Sequence, residues 1–171
     1  DEGTAKDYWV RKADGEHYIG KVWPGPCHFP DFTRPEVRTW WSTLYIPFMA
    51  QGIDGVWNDM NEPASFNGPL PDDVVFTDED RPSTHAEMHN VYGHLMTQAT
   101  NEGIAKTGLR PFVITRACYA GTQKYSTVWT GDNQSLWHHL QMVIPQLCNL
   151  GMSGFSFCGT DIGGFGADCT P

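Results

Sequence analysis

The chain has few basic residues, and those it has are not clustered. Its 171 residues include 11 lysines and arginines against 20 aspartates and glutamates, which gives a formal net charge of -9. Nucleic acids and anionic membranes attract proteins through clustered positive charge. The sequence also has no apolar run near the length that spans a bilayer. We therefore expect neither nucleic acid nor membrane as a partner.

Cysteine is scarce and irregularly placed. The chain has five cysteines, an odd number, and they are widely spaced with no CxxC pair. This pattern is not typical of a disulfide framework or a structural zinc site. We expect reduced core thiols and, from them, a cytoplasmic protein. The cysteines are Cys27, Cys118, Cys148, Cys158 and Cys169.

Short apolar runs alternate with helical patterns and predict an α/β fold. A helix is predicted from Thr33 to about Gln51, with Glu36 three residues after Thr33 as in a capping box. Thr84 and Glu87 repeat that spacing before a second helix. Four strands are predicted at 53–58, 112–115, 127–130 and 154–158. Residues 63–82, rich in Pro, Gly and Asp, predict a long surface loop.

A charged residue follows each predicted strand: Asp59, Arg116, Asp132 and Asp161. The carboxyl ends of parallel strands form the active-site face of a (β/α)8 barrel. We therefore predict part of a TIM (β/α)8 barrel, because a whole barrel needs about 250 residues. The chain begins without methionine and ends just after a glycine-rich run. We expect residues 1–171 to be part of one catalytic barrel domain, truncated at both ends.

One nine-residue motif is highly specific. Residues 55–63, GVWNDMNEP, resemble the nucleophile signature of glycoside hydrolase family 31, the family of α-glucosidases. Similar motifs follow the family's order along almost the whole chain. They are WPG at 23–25, FPDF at 29–32, RA at 116–117, GTQKY at 121–125, WTGDN at 129–133 and FCGTDIGGF at 157–165.

The resemblance implies a reaction and a role for each site residue. Asp59 would attack the anomeric carbon and form a covalent glycosyl-enzyme, while Asp132 would act first as acid and then as base. Arg116 and Asp161 would bind hydroxyls of the cleaved sugar. The pocket would be shaped by Trp23, Trp57, Met60, Trp129 and Phe165. The expected substrate is terminal α-linked glucose of oligosaccharides, with no metal or organic cofactor, and the remaining barrel strands would come from the full-length protein.

Several alternatives stay open. The protein could be an α-xylosidase or transglycosylase of the same family, or a catalytically silent relative that binds sugars or a protein. His85 and His89 lie one helical turn apart, as two zinc ligands would, but HAEMH is not HExxH. The glycines at 163–166 lack the GxGxxG spacing of a dinucleotide site. The metal and nucleotide interpretations are therefore disfavoured.

Overall fold

A computed structural model describes residues 1–77 and 81–170. Its helices are α1 (Glu2–Ala5), α2 (Pro35–Met49), α3 (His85–Ala105) and α4 (Trp137–Met152), with a 3-10 turn at Thr122–Lys124. Its strands are β1 (Ile19–Val22), β2 (Gly25–His28), β3 (Val56–Asn58), β4 (Val75–Thr77), β5 (Pro82–Thr84), β6 (Val113–Thr115), β7 (Thr127–Trp129) and β8 (Cys158–Gly159).

The centre of the fold is a parallel four-stranded sheet in the order β3-β6-β7-β8. Asn58 pairs with Thr115 at the carboxyl ends of β3 and β6, and Trp129 pairs with Gly159 at those of β7 and β8. Helix α3 precedes β6, and α4 connects β7 to β8. Because all four strands run in the same direction, their carboxyl ends share one edge. This is the arrangement of an open section of a (β/α)8 barrel.

The last strand begins later than predicted. We expected it at 154–158, but β8 covers only Cys158–Gly159. The backbone N–H of Phe155 still donates to the carbonyl of Leu150 in α4, and Gly154 has a φ of 91°. Residues 153–155 therefore end the helix, and the chain becomes extended only after them.

The two expected capping boxes have different outcomes. At the start of α3, the Thr84 N–H donates to the Glu87 carboxylate at 3.0 Å, so that prediction is confirmed. The prediction for Thr33 is wrong. Its hydroxyl donates to Asp31, and α2 begins at Pro35 instead. Proline suits the first helical turn because its missing N–H would have no partner there.

Of the predicted surface loop at 63–82, residues 78–80 lie outside the described residues, and the described part is not only a surface loop. Within this segment, Leu70, Val74 and Phe76 are each at most 2% exposed, and β4 pairs with β5 in a small antiparallel sheet. The ring of Phe76 packs edge-on against Tyr92 of α3, with 6.1 Å between centroids. The prediction of a surface loop is wrong because three apolar side chains among the prolines and aspartates enter the core.

Helix α4 is covered much less than α2 and α3, which pack closely together. It contacts β8, and Val143 is its buried residue. Several large apolar side chains of α4 remain exposed: Trp137, Leu140, Met142, Ile144 and Met152. In the described part of the chain, none of the helices combines the length and apolar character needed to cross a membrane.

Candidate active site

The carboxyl edge of the parallel sheet gathers four charged residues. Asp59 follows β3 and Arg116 follows β6 without an intervening residue. Asp132 lies three residues beyond β7, and Asp161 lies two residues beyond β8. Each was predicted to follow a strand of this sheet, and the structure places all four around one hollow.

Arg116 joins three carboxylates. Its Nη1 lies 3.2 Å from Oδ1 of Asp59 and 3.4 Å from Oδ2 of Asp132. On its other side, Nε and Nη2 contact the two carboxylate oxygens of Glu62 at 2.7 and 3.2 Å. The planar guanidinium suits this two-point contact with a carboxylate. Glu62 therefore fixes the orientation of the cation that Asp59 and Asp132 share.

The electrostatic surroundings keep Arg116 charged. Partial burial acts to lower its pKa. The hydrogen bond and charge of Glu62, together with the charges of Asp59 and Asp132, outweigh that effect and raise the pKa above its ordinary value. Since an arginine is already protonated at neutral pH, the site holds a permanent positive charge beside two acids.

Buried hydrogen bonds fix the turn that follows β3. The amide of Asn61, only 2% exposed, donates to the Thr115 hydroxyl at 2.9 Å and accepts from the Ala117 N–H at 3.1 Å. The Arg116 N–H donates to the carbonyl of Asn58 at 3.2 Å. These contacts tie the loop that carries Asp59 to the strand that carries Arg116. The hydrogen bonds thus position the side chain of Asp59 relative to that of Arg116.

Every residue predicted for the site lines the same hollow, which has a volume of about 390 Å³. This volume lies in the ordinary range for small-molecule sites. Two aromatic pairs meet edge to face with 4.8 Å between centroids, Trp57 with Trp129 and Trp23 with Phe66. The lining residues are Trp23, Trp57, Asp59, Met60, Phe66, Arg116, Trp129, Asp132, Asp161 and Phe165.

Two residues of the site were not predicted from sequence. Glu62 lies inside the GVWNDMNEP motif, and the only feature of the sequence that could have pointed to it is its position three residues after Asp59. Phe66 lies three residues beyond that motif, in a loop anchored by its own N–H, which donates to the Lys21 carbonyl at 2.8 Å. No period or motif marks Phe66, because its position depends on how the loop folds back onto β1.

The histidine pair does not gain a third ligand. His85 Nε2 lies 3.1 Å from His89 Nδ1, and the His85 ring is buried beside Phe76. Among residues 1–77 and 81–170, no three His, Cys, Asp or Glu side chains group in a way that could hold a metal ion. The metallohydrolase alternative therefore has no ligand set in this part of the chain.

The family model and similar known proteins point to the same family. The model of the glycosyl hydrolases family 31 TIM-barrel domain matches residues 1–171. Alpha-glucosidase 2 of Bacillus thermoamyloliquefaciens is 51% identical over 168 residues, which cover 96% of this chain and 21% of that protein. Human neutral alpha-glucosidase C is 44% identical over 169 residues, covering 94% of this chain and 18% of that protein. The chain thus spans about a fifth of the length of these relatives.

Solved structures agree with the sequence comparisons. The crystal structure of the glucosidase II alpha subunit bound to Glc1Man2 superposes with a TM-score of 0.90 at 37% identity, covering 99% of this chain and 19% of that one. The family 31 alpha-glucosidase of Bacteroides thetaiotaomicron has a TM-score of 0.76 at 47% identity, covering 94% of this chain and 26% of that one. These matches confirm the predicted partial barrel. The chain belongs to the TIM-barrel domain of glycosyl hydrolase family 31.

Proposed function

We propose that the protein containing this chain is a retaining α-glucosidase that releases terminal α-linked glucose from oligosaccharides. Asp59 is the nucleophile that forms the glycosyl-enzyme, and Asp132 is the acid and then the base. Residues 1–171 are part of one catalytic barrel domain. The observation that carries the proposal is the contact of both carboxylates with one nitrogen of Arg116.

That shared contact limits the separation of the two acids. Asp59 Oδ1 lies 3.2 Å and Asp132 Oδ2 lies 3.4 Å from the same Nη1 of Arg116. The distance between these two oxygens therefore cannot exceed the sum of the two contacts. Retaining glycosidases hold their carboxyl groups about 5–5.5 Å apart, and inverting enzymes about 6.5–9.5 Å, to leave room for a water. The limit falls at the bottom of the inverting range. This limit on the two contacting oxygens admits the whole retaining range and excludes all but the lowest part of the inverting range, which supports double displacement.

The walls of the hollow suit a sugar. A pyranose ring has apolar C–H faces and polar edges, and aromatic rings beside hydrogen-bonding groups match both. Trp57 and Phe165 expose much of their rings there, while Asp161 and Arg116 supply an acceptor and a donor. Glucose is the proposed sugar because curated relatives over nearly all of the chain are named alpha-glucosidases.

The stereochemistry of the first product tests the mechanism. Proton NMR of the protein at its natural length, mixed with an aryl α-glucoside, should show α-glucose before mutarotation produces the β anomer, because the aryl leaving group contributes no glucose of its own. Initial release of β-glucose would rule out double displacement. A protein with no turnover on α-glucosides would instead support the silent sugar-binding alternative.

The role of Asp132 has its own test. Asp132→Ala should strongly lower kcat/KM for a disaccharide of α-linked glucose, because its leaving group needs a proton. It should largely spare kcat/KM for an aryl α-glucoside, whose acidic leaving group departs without one. Asp73→Ala, at an exposed aspartate that does not line the hollow, is the matched control. Equal losses of kcat/KM on both substrates in Asp132→Ala would contradict the assignment of Asp132 as the acid.

A further inference from the structure

The loops that follow β7 and β8 are joined along their length. The Asn133 carbonyl accepts from the N–H groups of Phe165 and Gly166 at 2.9 and 3.0 Å. The Ser135 N–H donates to the Gly166 carbonyl at 2.8 Å, and Gln134 forms a parallel bridge with Gly166. One loop carries Asp132, and the other carries Asp161 and Phe165. The backbone ladder therefore connects two sides of the hollow.

The side chain of Asn133 adds a second connection. Its Nδ2 donates to the carbonyl of Asp161 at 3.0 Å and to the hydroxyl of Thr160 at 3.3 Å. Its Oδ1 accepts from the Phe165 N–H at 3.2 Å. A short amide is suited to this position because it donates and accepts within one small group. One side chain thus holds both the beginning and the end of the loop after β8.

Close contact at Gly164 shows how tightly the two loops meet. Gly164 has a φ of 96°, and a Cβ built there would lie 2.4 Å from the Ser135 nitrogen and 2.5 Å from its Cα. Any larger residue would push the loops apart. The Ser135 hydroxyl also donates to the Ala167 carbonyl at 2.9 Å. The two loops are therefore closely packed, and their contact includes Gly164 and Ser135 as well as Asn133.

We infer that Asn133 is a positioning residue for substrate binding: its amide fixes Asp161 and Phe165 relative to the acid Asp132, which precedes it in sequence. The inference rests on the proposed function, because it takes Asp161 and Phe165 to be residues that bind the sugar. Asn133 does not line the wall of the hollow itself. It acts through the loop that it holds.

The test compares Asn133→Ala with the wild-type protein at its natural length. Loss of two or three neutral hydrogen bonds should raise KM for an α-glucoside by about tenfold or more, with a smaller change in kcat. Asn67→Ala, at an exposed asparagine outside the hollow, is the control. If Asn133→Ala does not fold, Thr160→Val removes one acceptor and should raise KM less, in the same direction.

A double-mutant cycle separates positioning from a general structural role. If Asn133 acts through Asp161 and Phe165, then Asn133→Ala should cost clearly less in kcat/KM when Asp161→Ala is already present than it does in the wild type. Multiplying losses, or a lower Tm with KM unchanged in the single variant, would overturn the inference.

Hydrogen exchange tests the inference independently of activity. In Asn133→Ala, the backbone amides of residues 161–167 should exchange faster, while α3 stays protected. Unchanged exchange there would refute the positioning role of Asn133 even if the wild type is an active α-glucosidase. Faster exchange in a protein without turnover would instead support the connection that Asn133 makes to this loop and remove the proposed function.

Discussion

Aromatic side chains occupy two contrasting environments. In the core between α2, α3 and the 70–76 segment, Phe32, Phe76 and Tyr92 pack edge to face and are almost fully buried. Around the acids, Trp23 is 82% exposed and Phe165 is 66% exposed. Uncovered apolar rings grouped on a surface usually mark a place where a ligand or partner binds. The same residue type thus stabilises the core in one region and remains exposed around the acids in the other, where we propose that it binds substrate.

The largest expected effect lies in the core. Phe76→Ala should lower the free energy of unfolding by about 3–5 kcal/mol, because a fully buried ring is removed and a cavity is left. Urea denaturation measures this change. The folded fraction should keep the wild-type kcat, since Phe76 does not line the hollow. A loss below about 1 kcal/mol would mean that this core does not depend on the ring.

Next comes the cation of the site. Arg116→Ala should lower kcat/KM by about 10²–10³-fold, the usual cost of removing one preorganised electrostatic group. Arg116→Lys should recover little, because an ammonium cannot contact Glu62 at two points and still reach both acids. Thermal unfolding serves as the check on folding. Full activity in the lysine variant would show that charge alone suffices.

A smaller effect is expected at the rim of the hollow. Phe66→Ala should change the free energy of unfolding by no more than about 0.5 kcal/mol, since the ring is half exposed. KM for an oligosaccharide should nevertheless rise several-fold, because Phe66 and Trp23 form one aromatic pair there. If Phe66→Ala behaved like Phe76→Ala, the contrast between the two regions would fail.

The smallest expected effect concerns acid stability. Burial, and then the charge of His89, lower the pKa of His85 below its ordinary value of 6.5. Below that pH the unfolded chain binds more protons than the folded one, so stability should fall as pH falls. His85→Gln should reduce this pH dependence, as measured by denaturation from pH 7 to pH 5. His138→Gln, at an exposed position of α4, serves as the substitution control.

The site was more predictable from sequence than the core. Asp59 and Arg116 directly follow apolar strand segments, so local patterning located both of them at the sheet edge. Asp132 and Asp161 follow within three residues of their strands. By contrast, Leu70 and Phe76 lie among prolines and aspartates that are typical of loops. They are buried in one cluster with Val37 of α2 and Tyr92 of α3, an arrangement that no local pattern encodes.

Contacts between distant segments account for the other errors. Thr33 has the sequence of a helix cap, yet its hydroxyl bonds to Asp31, whose other carboxylate oxygen accepts from the Thr77 N–H at 2.6 Å. That contact joins residues far apart in sequence. Glu62 likewise gains its importance from Arg116, which follows a different strand. Such pairs become visible only when the strands are assembled.

One measurement tests the assignment of Asp59 most directly. A glucoside with an activated leaving group and a fluorine on the sugar ring should form a glycosyl-enzyme quickly and hydrolyse slowly, and so add one fluoroglucosyl mass to the protein at its natural length. Peptide mapping by mass spectrometry should place that mass on Asp59, and Asp59→Ala should acquire none. Labelling of another residue, or turnover at the wild-type rate in Asp59→Ala, would contradict the nucleophile assignment.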